Sequence, residues 1–458
     1  MHNFETNIKG KHVLIVGMAK SGIAAAKTLK QFDAFITMTD SKAYDTFGDL
    51  LDEAAPFVDD YILGQNPTNL SQFDLIVMSP GVPMDISLVK DAKALGVEVI
   101  GEIELAFRVC RGNFIGITGT NGKTTTTALV GEMFQNANRD HFVVGNIGIP
   151  AVSKAPQASG DTVMVTELSS FQLESIVDFK AHIAAIINIT PDHLNRHKTM
   201  ENYIKAKARI FENQNKNDFA ILNADDPLVA GLSSEINSNV FYFSRENILD
   251  RGFYIQDDAF YVNVGNGPYK LMPISNMFIP GKHNVQNALV AIAIATLSGI
   301  DRETIVKTLS SFKGVEHRIA YVTEFADRIF YNDSKGTNPE STICAIEAMQ
   351  KPTILIAGGM DKGSEFDELV KAFKGKIKAL VLLGETKGKI KDTAQKFGFN
   401  ENYLVENMEE AVEKAFALSA PGDVVLLSPA CASWDMYPNF ETRGLHFKSC
   451  VKSLEIRW

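Results

Sequence analysis

Short runs of apolar, β-branched residues alternate with stretches of helical period along the whole chain. That alternation confines the fold to the α/β class, in which parallel strands are covered by helices. Residues 12–17 (His-Val-Leu-Ile-Val-Gly) predict a buried strand, followed by a glycine-marked turn and a helix over 21–30; further strands are expected over 34–40 and 74–79. A new group opens at 114–118 and continues at 161–167, 184–190 and 219–223, with smaller β elements at 240–242 and 260–264. A third group occupies 329–332, 353–357, 379–384 and 423–428, with helices over 365–373 and 408–418. At roughly 150 residues per domain, 458 residues make about three domains, and the groups divide at 1–101, 102–312 and 313–458.

Composition narrows the class of partner. Lys plus Arg is 45 and Asp plus Glu is 55, a net charge of −10, which argues against a general nucleic-acid binder. With 45% apolar residues the chain is too hydrophobic for disorder. The polar stretch 1–10 lacks the apolar segment of a signal peptide. The longest apolar stretch, 288–300, is interrupted by Ser298 and Gly299 and falls short of the ~20 residues that span a bilayer. None of Cys110, Cys344, Cys431 and Cys450 stands in a CxxC pair, so their spacing indicates neither a thiolate zinc site nor a disulfide framework. A cytoplasmic protein without membrane or nucleic-acid partners is expected.

The sharpest motif is Gly119-Thr120-Asn121-Gly122-Lys123-Thr124-Thr125, between a predicted strand and a helix that carries Leu129, Val130, Met133 and Phe134 inward. Glycines let backbone N–H groups approach phosphate oxygens, and the helix N-terminus adds its dipole. Lys123 would bridge β- and γ-phosphates and the Thr124 hydroxyl would bind Mg²⁺. The strict phosphate-loop pattern asks for glycine at 117, where this chain has Ile117; Gly116 is one position early. The other glycine turn, Gly17-Met18-Ala19-Lys20-Ser21-Gly22, is a dinucleotide-type turn without the middle glycine, and Asp40 ends the next strand, where it could accept from a ribose hydroxyl.

Glu167 ends a strand beside the phosphate loop, a position suited to holding Mg²⁺. His193, in Thr190-Pro191-Asp192-His193-Leu194, follows another apolar strand and could contact a metal or the transferring phosphate. Over 199–212, Ile204, Lys207, Ile210 and Phe211 share one helical face, so Lys207 points inward. An inward lysine needs a charge partner, a lowered pKa or a covalent modification, unless it snorkels to solvent. In the third group, polar loops at 332–338, 358–363 and 428–433 follow successive strands and together suggest a binding face. His317-Arg318, and Asn284 with Asn287, could add phosphate or adenine contacts.

Over nearly its whole length the chain resembles the Mur ligases. The phosphate loop is similar to the one shared by Mur ligases and folylpolyglutamate synthases. More specific are 167–174 (ELSSFQLE), 332–338 (NDSKGTN) and 428–444 (SPACASWDMYPNFETRG). The last two point to the D-glutamate-adding branch, whereas the Asp-Asn-Pro-Arg loop of relatives that add a diamino acid is absent. Gly336 stands where the resemblance leads one to expect alanine, and Trp434 and Tyr437 fall at variable places.

The resemblance implies a Rossmann-like UDP-binding domain, a central P-loop ATPase-like domain with a mostly parallel sheet, and a C-terminal Rossmann-like domain. It implies that ATP phosphorylates the carboxylate of UDP-N-acetylmuramoyl-L-alanine and that the D-glutamate amine displaces the phosphate, in a monomer serving cytoplasmic peptidoglycan precursor synthesis. By motif matching, Gly119, Thr120, Asn121, Gly122, Lys123, Thr124 and Thr125 bind ATP with Asn284, Asn287, Arg318, Asp333 and Lys335. Thr124 and Glu167 hold one Mg²⁺; His193 and a carbamylated Lys207 serve a second. Ser21, Asp40, Lys42, Gly81, Asn146 and Ser169 fall to the UDP substrate. Thr337, Lys362, Ser433 and Phe440 fall to D-glutamate. Three rival functions are an NAD-linked oxidoreductase built on the first glycine turn, a nucleotide-regulated switch, and a sister ligase using folates or another muramoyl peptide. The oxidoreductase leaves Lys123 and the third group unexplained.

Overall fold

The computed structural model describes residues 7–458, which fall into two compact units. One holds the chain up to Asn276 together with Gln286–Ser310; the other holds Met277–Val285 and Ser311–Trp458. Among the described residues no helix is long and apolar enough to cross a membrane.

The first unit contains two sheets. The first sheet comprises β1 (His12–Val16), β2 (Phe35–Asp40), β3 (Asp60–Leu63), β4 (Leu75–Met78) and β5 (Glu98–Gly101), all parallel, in the order β3-β2-β1-β4-β5. Val13, Leu14, Ile15 and Ile76 are fully enclosed, as strands covered on both faces must be. Strand order reverses between β1 and β4, so the loops after these strands, at 17–19 and 79–81, border the crevice where such sheets take ligands.

The second sheet has nine strands: β6 (Asn113–Thr118), β7 (His141–Gly145), β8 (Val163–Glu167), β9 (Ile183–Ile186), β10 (Phe219–Asn223), β11 (Asn239–Ser244), β12 (Gly252–Gln256), β13 (Ala259–Asn263) and β14 (Tyr269–Pro273). Their order is β14-β13-β12-β11-β10-β9-β6-β8-β7, with only β13 and β14 antiparallel to their neighbours. The strand expected over 184–190 stops at Ile186. Ile187 N–H still donates to Thr118 O, at 3.0 Å, but the carbonyl of Asn188 then turns to accept from Thr120 N–H at 2.9 Å. One continuous apolar core joins the two sheets, from Val13 and Ile100 through Phe114 to Leu222. Two buried carboxylates tie the connecting helix Glu102–Val109 down: Glu102 accepts from Val152 N–H (2.8 Å), and Glu104 from the N–H groups of Val177, Asp178 and Phe179.

The second unit has one sheet of β15 (Ala320–Phe325), β16 (Arg328–Asn332), β17 (Thr353–Ala357), β18 (Ile377–Leu382), β19 (Asn402–Leu404) and β20 (Val424–Leu427). The order is β15-β16-β20-β17-β18-β19, parallel except for the β15–β16 pair. Alternation along the strands feeds two cores. Leu355 and Leu426 enter one with Phe366, while Ile354 and Val425 enter the other with Met408 and Phe447. The loops after β16, β20 and β17 therefore emerge side by side at the carboxyl edge.

Candidate active site

The loop after β6 is shaped by two glycines with positive φ, Gly119 (+155°) and Gly122 (+84°). Gly122 serves as N-cap of helix Lys123–Asn136. A Cβ at Gly122 would lie 2.2 Å from Asn287 Oδ1, which places Asn287 against the loop. The free end of the loop is held by Asn188, whose side chain accepts from Asn121 N–H at 2.9 Å and donates to Asn121 O at 3.2 Å. Thr120 Oγ1 donates to Thr190 O and lies 3.2 Å from the Tyr203 hydroxyl. Lys123 Nζ curls back to the carbonyls of Gly119 (2.9 Å) and Thr120 (2.8 Å), at the mouth of the backbone cradle.

Lys207 points inward as the helical pattern requires, from helix Met200–Ala208, and is 1% exposed. Its Nζ donates to Gly119 O at 2.8 Å and stands over the Tyr203 ring at 4.7 Å. Burial, reinforced by the nearby Lys123 charge, pulls its pKa down to about 7, against the opposing pull of Asp192 and Glu167. It does not snorkel; it is a buried amine with a substantial neutral fraction near neutrality.

Glu167, at the end of β8, is 2% exposed. Oε1 accepts from Asn146 Nδ2 at 2.9 Å, whereas Oε2 is buried with no hydrogen-bond partner. A buried carboxylate oxygen left unpaired is costly, and a cation is the natural complement. The Thr124 side chain, in the first turn of the phosphate-loop helix, is also buried. Hydroxyl and carboxylate are the hard oxygen donors Mg²⁺ prefers, so these residues fit that ion. His193 sits in the left-handed region (φ +51°), half exposed, with its ring 4.9 Å from Phe171 and Nε2 3.5 Å from Asp192. Arg196, not singled out from sequence, stacks on Phe171, donates to Glu174 at 2.6 Å, and reaches the carbonyls of Pro80, Gly81 and Val82. It thus links the loop carrying Gly81 to the loops beside Lys207.

In the first sheet, the turn after β1 is closed by backbone contact: a Cβ on Gly22 would lie 2.0 Å from Gly17 O. Asp40 braces this turn, accepting from Met18 N–H (3.0 Å) and Lys42 N–H (3.1 Å). Ser21 lies in the first turn of helix Lys20–Lys30, Asp40 ends β2 with Lys42 just beyond it, and Gly81 follows β4, so all four stand at the carboxyl edge of this sheet. Ser169 is different. Its hydroxyl caps helix Ser170–Leu173, accepting from Gln172 N–H, so its first role is to orient the segment after Glu167.

In the second unit the loop after β16 is the hub. Asp333 is buried, accepts from Ser428 Oγ (2.6 Å) and Ile319 N–H (3.2 Å), and burial pushes its pKa up to about 7. Arg443, another residue missed from sequence, donates to Ser334 Oγ, Ser334 O and Cys431 O, bracing two loops from beneath. Lys335 lies 5.6 Å from the Phe440 ring, and Lys362 4.0 Å from Trp434. Ser433 is buried, and Thr337 follows the Lys335 turn, donating its N–H to Lys335 O. Arg318 is near enough to favour the Asp333 carboxylate, and Asn284 Nδ2 donates to Pro280 O.

Comparison with known proteins agrees along the whole chain. Residues 11–101 match the model of the Mur ligase MurD-like N-terminal domain, 117–295 the Mur ligase middle domain, and 317–431 the Mur ligase glutamate ligase domain. A UDP-N-acetylmuramoylalanine--D-glutamate ligase of Thermoanaerobacter sp. (strain X514) is 50% identical over 450 residues, covering 98% of this chain and 99% of its own. One from Clostridioides difficile (strain 630) is 50% identical over 451 residues, covering 98% and 100%. Among solved structures, the UDP-N-acetylmuramate-alanine ligase of Thermotoga maritima superposes with a TM-score of 0.58 at 20% identity, over 97% of this chain and 100% of that one. A UDP-N-acetylmuramoylalanyl-D-glutamyl-2,6-diaminopimelate--D-alanyl-D-alanyl ligase of Acinetobacter baumannii gives 0.60 at 15%, over 95% and 93%. With three matching domains in chain order and half-identical relatives end to end, the chain belongs to the Mur ligase family.

Proposed function

We propose that this protein joins D-glutamate to UDP-N-acetylmuramoyl-L-alanine at the cost of ATP, a cytoplasmic step of peptidoglycan precursor synthesis, and that it works as a monomer of three domains, 1–101, 102–312 and 313–458. What supports this most directly is the convergence of Lys123, Lys207 and the half-unpaired Glu167 around one phosphate loop, in a chain 50% identical throughout to ligases of that name. A carboxylate is a poor acyl donor, so it must be activated before an amine displaces one of its oxygens. The substrate carboxylate attacks the γ-phosphorus of ATP and ADP leaves. The amine then attacks the acyl carbon and phosphate leaves.

Each group has a task in that sequence. The loop amides and Lys123 bind the phosphates, so the transfer is mostly positioning plus charge stabilisation. Thr124 and Glu167 would hold a Mg²⁺ ion, which would supply positive charge to offset that of the phosphates. Lys207, with its depressed pKa, has the neutral amine that reacts with carbon dioxide. The amine nitrogen would bond to the carbon of carbon dioxide and release one proton to solvent, leaving a carbamate whose anionic oxygens, with His193, would serve a second Mg²⁺. Asn146 meets the muramoyl substrate, and Ser21, Asp40, Lys42, Gly81 and Ser169 serve its uridine diphosphate end. Asn284, Asn287, Arg318, Asp333 and Lys335 engage ATP. Thr337, Lys362, Ser433 and Phe440 receive D-glutamate, Lys362 pairing with a carboxylate.

Phosphate release with UDP-N-acetylmuramoyl-L-alanine, ATP and a panel of amino acids tests the assignment. Strong turnover is expected with D-glutamate alone; equal use of L-glutamate or a diamino acid would defeat it.

A further inference from the structure

His446 and Cys450 are one turn apart on helix Phe440–Arg457 and share a face. Glu409 lies in the first turn of helix Met408–Leu418, which packs against it. One ligating atom from each of these three residues lies within 4.8 Å of the other two, and no other group of three or more His, Cys, Asp or Glu does so among the described residues. Glu409 Oε1 is 2.8 Å from His446 Nε2, and the Tyr437 hydroxyl is 2.8 Å from His446 Nδ1. Both ring nitrogens are engaged, which fixes the imidazole plane. Cys450 is buried while Glu409 is exposed, so the thiol closes the inner end of a cluster that opens to solvent.

One thiol, one imidazole and one carboxylate form a borderline-soft donor set. Mg²⁺ and Ca²⁺ prefer oxygen alone; Zn²⁺ and Co²⁺ take this mixture. With bonds of ~2.0–2.3 Å, ligand atoms in a tetrahedral site stand about 3.3–3.8 Å apart, a spacing that side-chain rotations can reach from the present arrangement. A partner on the second ring nitrogen, here Tyr437, is the outer contact that metal-binding histidines have. The ligands come from positions 409, 446 and 450, so no short cysteine motif announces them.

We propose that Glu409, His446 and Cys450 bind a thiophilic divalent transition-metal ion of the zinc type, with water completing the tetrahedron. The Cys450 thiol gives its proton to solvent on binding. The ion staples helix Met408–Leu418 to helix Phe440–Arg457. The latter carries Arg443, the brace of the loops at Ser334 and Cys431, so the staple stabilises the loop edge from a distance.

The test uses the full chain, stripped of metal, in buffer without Mg²⁺ or nucleotide. Titration with Co²⁺ should raise a near-ultraviolet thiolate-to-metal absorption that saturates at one equivalent; the Mg²⁺ ligands proposed above contain no sulfur. The band should vanish in Cys450→Ala and persist in Cys344→Ser. Glu409→Gln, on an exposed residue, should weaken Co²⁺ binding about tenfold or more. Zn²⁺ should displace the band and raise the melting temperature of the wild type but not of Cys450→Ala, whose ligase turnover reports that it is folded. Absence of the band in the wild type, its survival in Cys450→Ala, its loss in Cys344→Ser, or an unchanged affinity in Glu409→Gln would each overturn the proposal.

Discussion

Lys207 and Lys123 donate to the same carbonyl oxygen, that of Gly119, at 2.8 and 2.9 Å. Burial of Lys207 pulls its pKa down to about 7, and repulsion from the Lys123 ammonium on the same acceptor adds to that shift. Lys207→Arg keeps a permanent charge and cannot be carbamylated; Lys207→Ala removes the amine. Both are expected to lose about 10²–10³-fold in turnover, the scale of one preorganised electrostatic group. Short carboxylic acids should partly restore Lys207→Ala and leave Lys207→Arg inactive. Wild-type rates in either variant would remove Lys207 from the site.

Glu167→Gln keeps an oxygen for Asn146 Nδ2 but discards the anionic charge at the unpaired position. Turnover should fall by about 10²-fold or more, with a higher Mg²⁺ requirement, while the melting temperature stays the same or rises, because a buried charge has been removed. An unchanged Mg²⁺ activation curve would contradict the role given to Glu167.

Gly22→Ala tests the first crevice. Its Cβ would meet Gly17 O at 2.0 Å, and that atom is backbone and cannot swing aside. The expected loss is about 1–3 kcal/mol of stability, the usual range for overpacking. KM for the UDP substrate should rise with little change in kcat at saturation, since this turn belongs to the first sheet and the phosphate loop to the second. A kcat loss at unchanged KM would disagree.

Asp333→Asn has a pH signature. Burial raises the folded-state pKa from 3.8 to about 7, so between those values the native state binds more protons than the unfolded one. Stability from this group is full below about pH 4 and is lost as pH rises through 7. The variant does not ionise, so its melting temperature relative to wild type should climb from pH 5 to pH 8. A difference that is flat or falls with pH would show that Asp333 does not carry the charge penalty.

Legibility followed the physics of each element. Strands buried on both faces, such as β1, β6 and β17, announce themselves as unbroken apolar runs, and the loops after them by glycine and hydroxyl residues. The strands β3, β5 and β19 give no strand signal in the sequence, because they are short and carry charged or half-exposed residues. Lys207 was legible because one charge on an apolar helical face is conspicuous. Tyr203, four residues earlier on that face, looks like any core aromatic until Thr120 and Lys207 are seen around it. Asn188 sits within an apolar run that reads as strand, and the only local signal of its role is a lone amide among isoleucines. Arg196 and Arg443 act through backbone carbonyls far away in sequence, which no local pattern encodes.

The most direct measurement follows the fate of one oxygen atom. UDP-N-acetylmuramoyl-L-alanine labelled with ¹⁸O in its carboxylate is incubated with ATP, Mg²⁺ and D-glutamate, and the released phosphate is analysed by mass. Activation through an acyl phosphate predicts one phosphate per amide formed, each carrying a single ¹⁸O from the substrate. Unlabelled phosphate, or phosphate released at the same rate without D-glutamate, would contradict the proposed use of the phosphate-loop site.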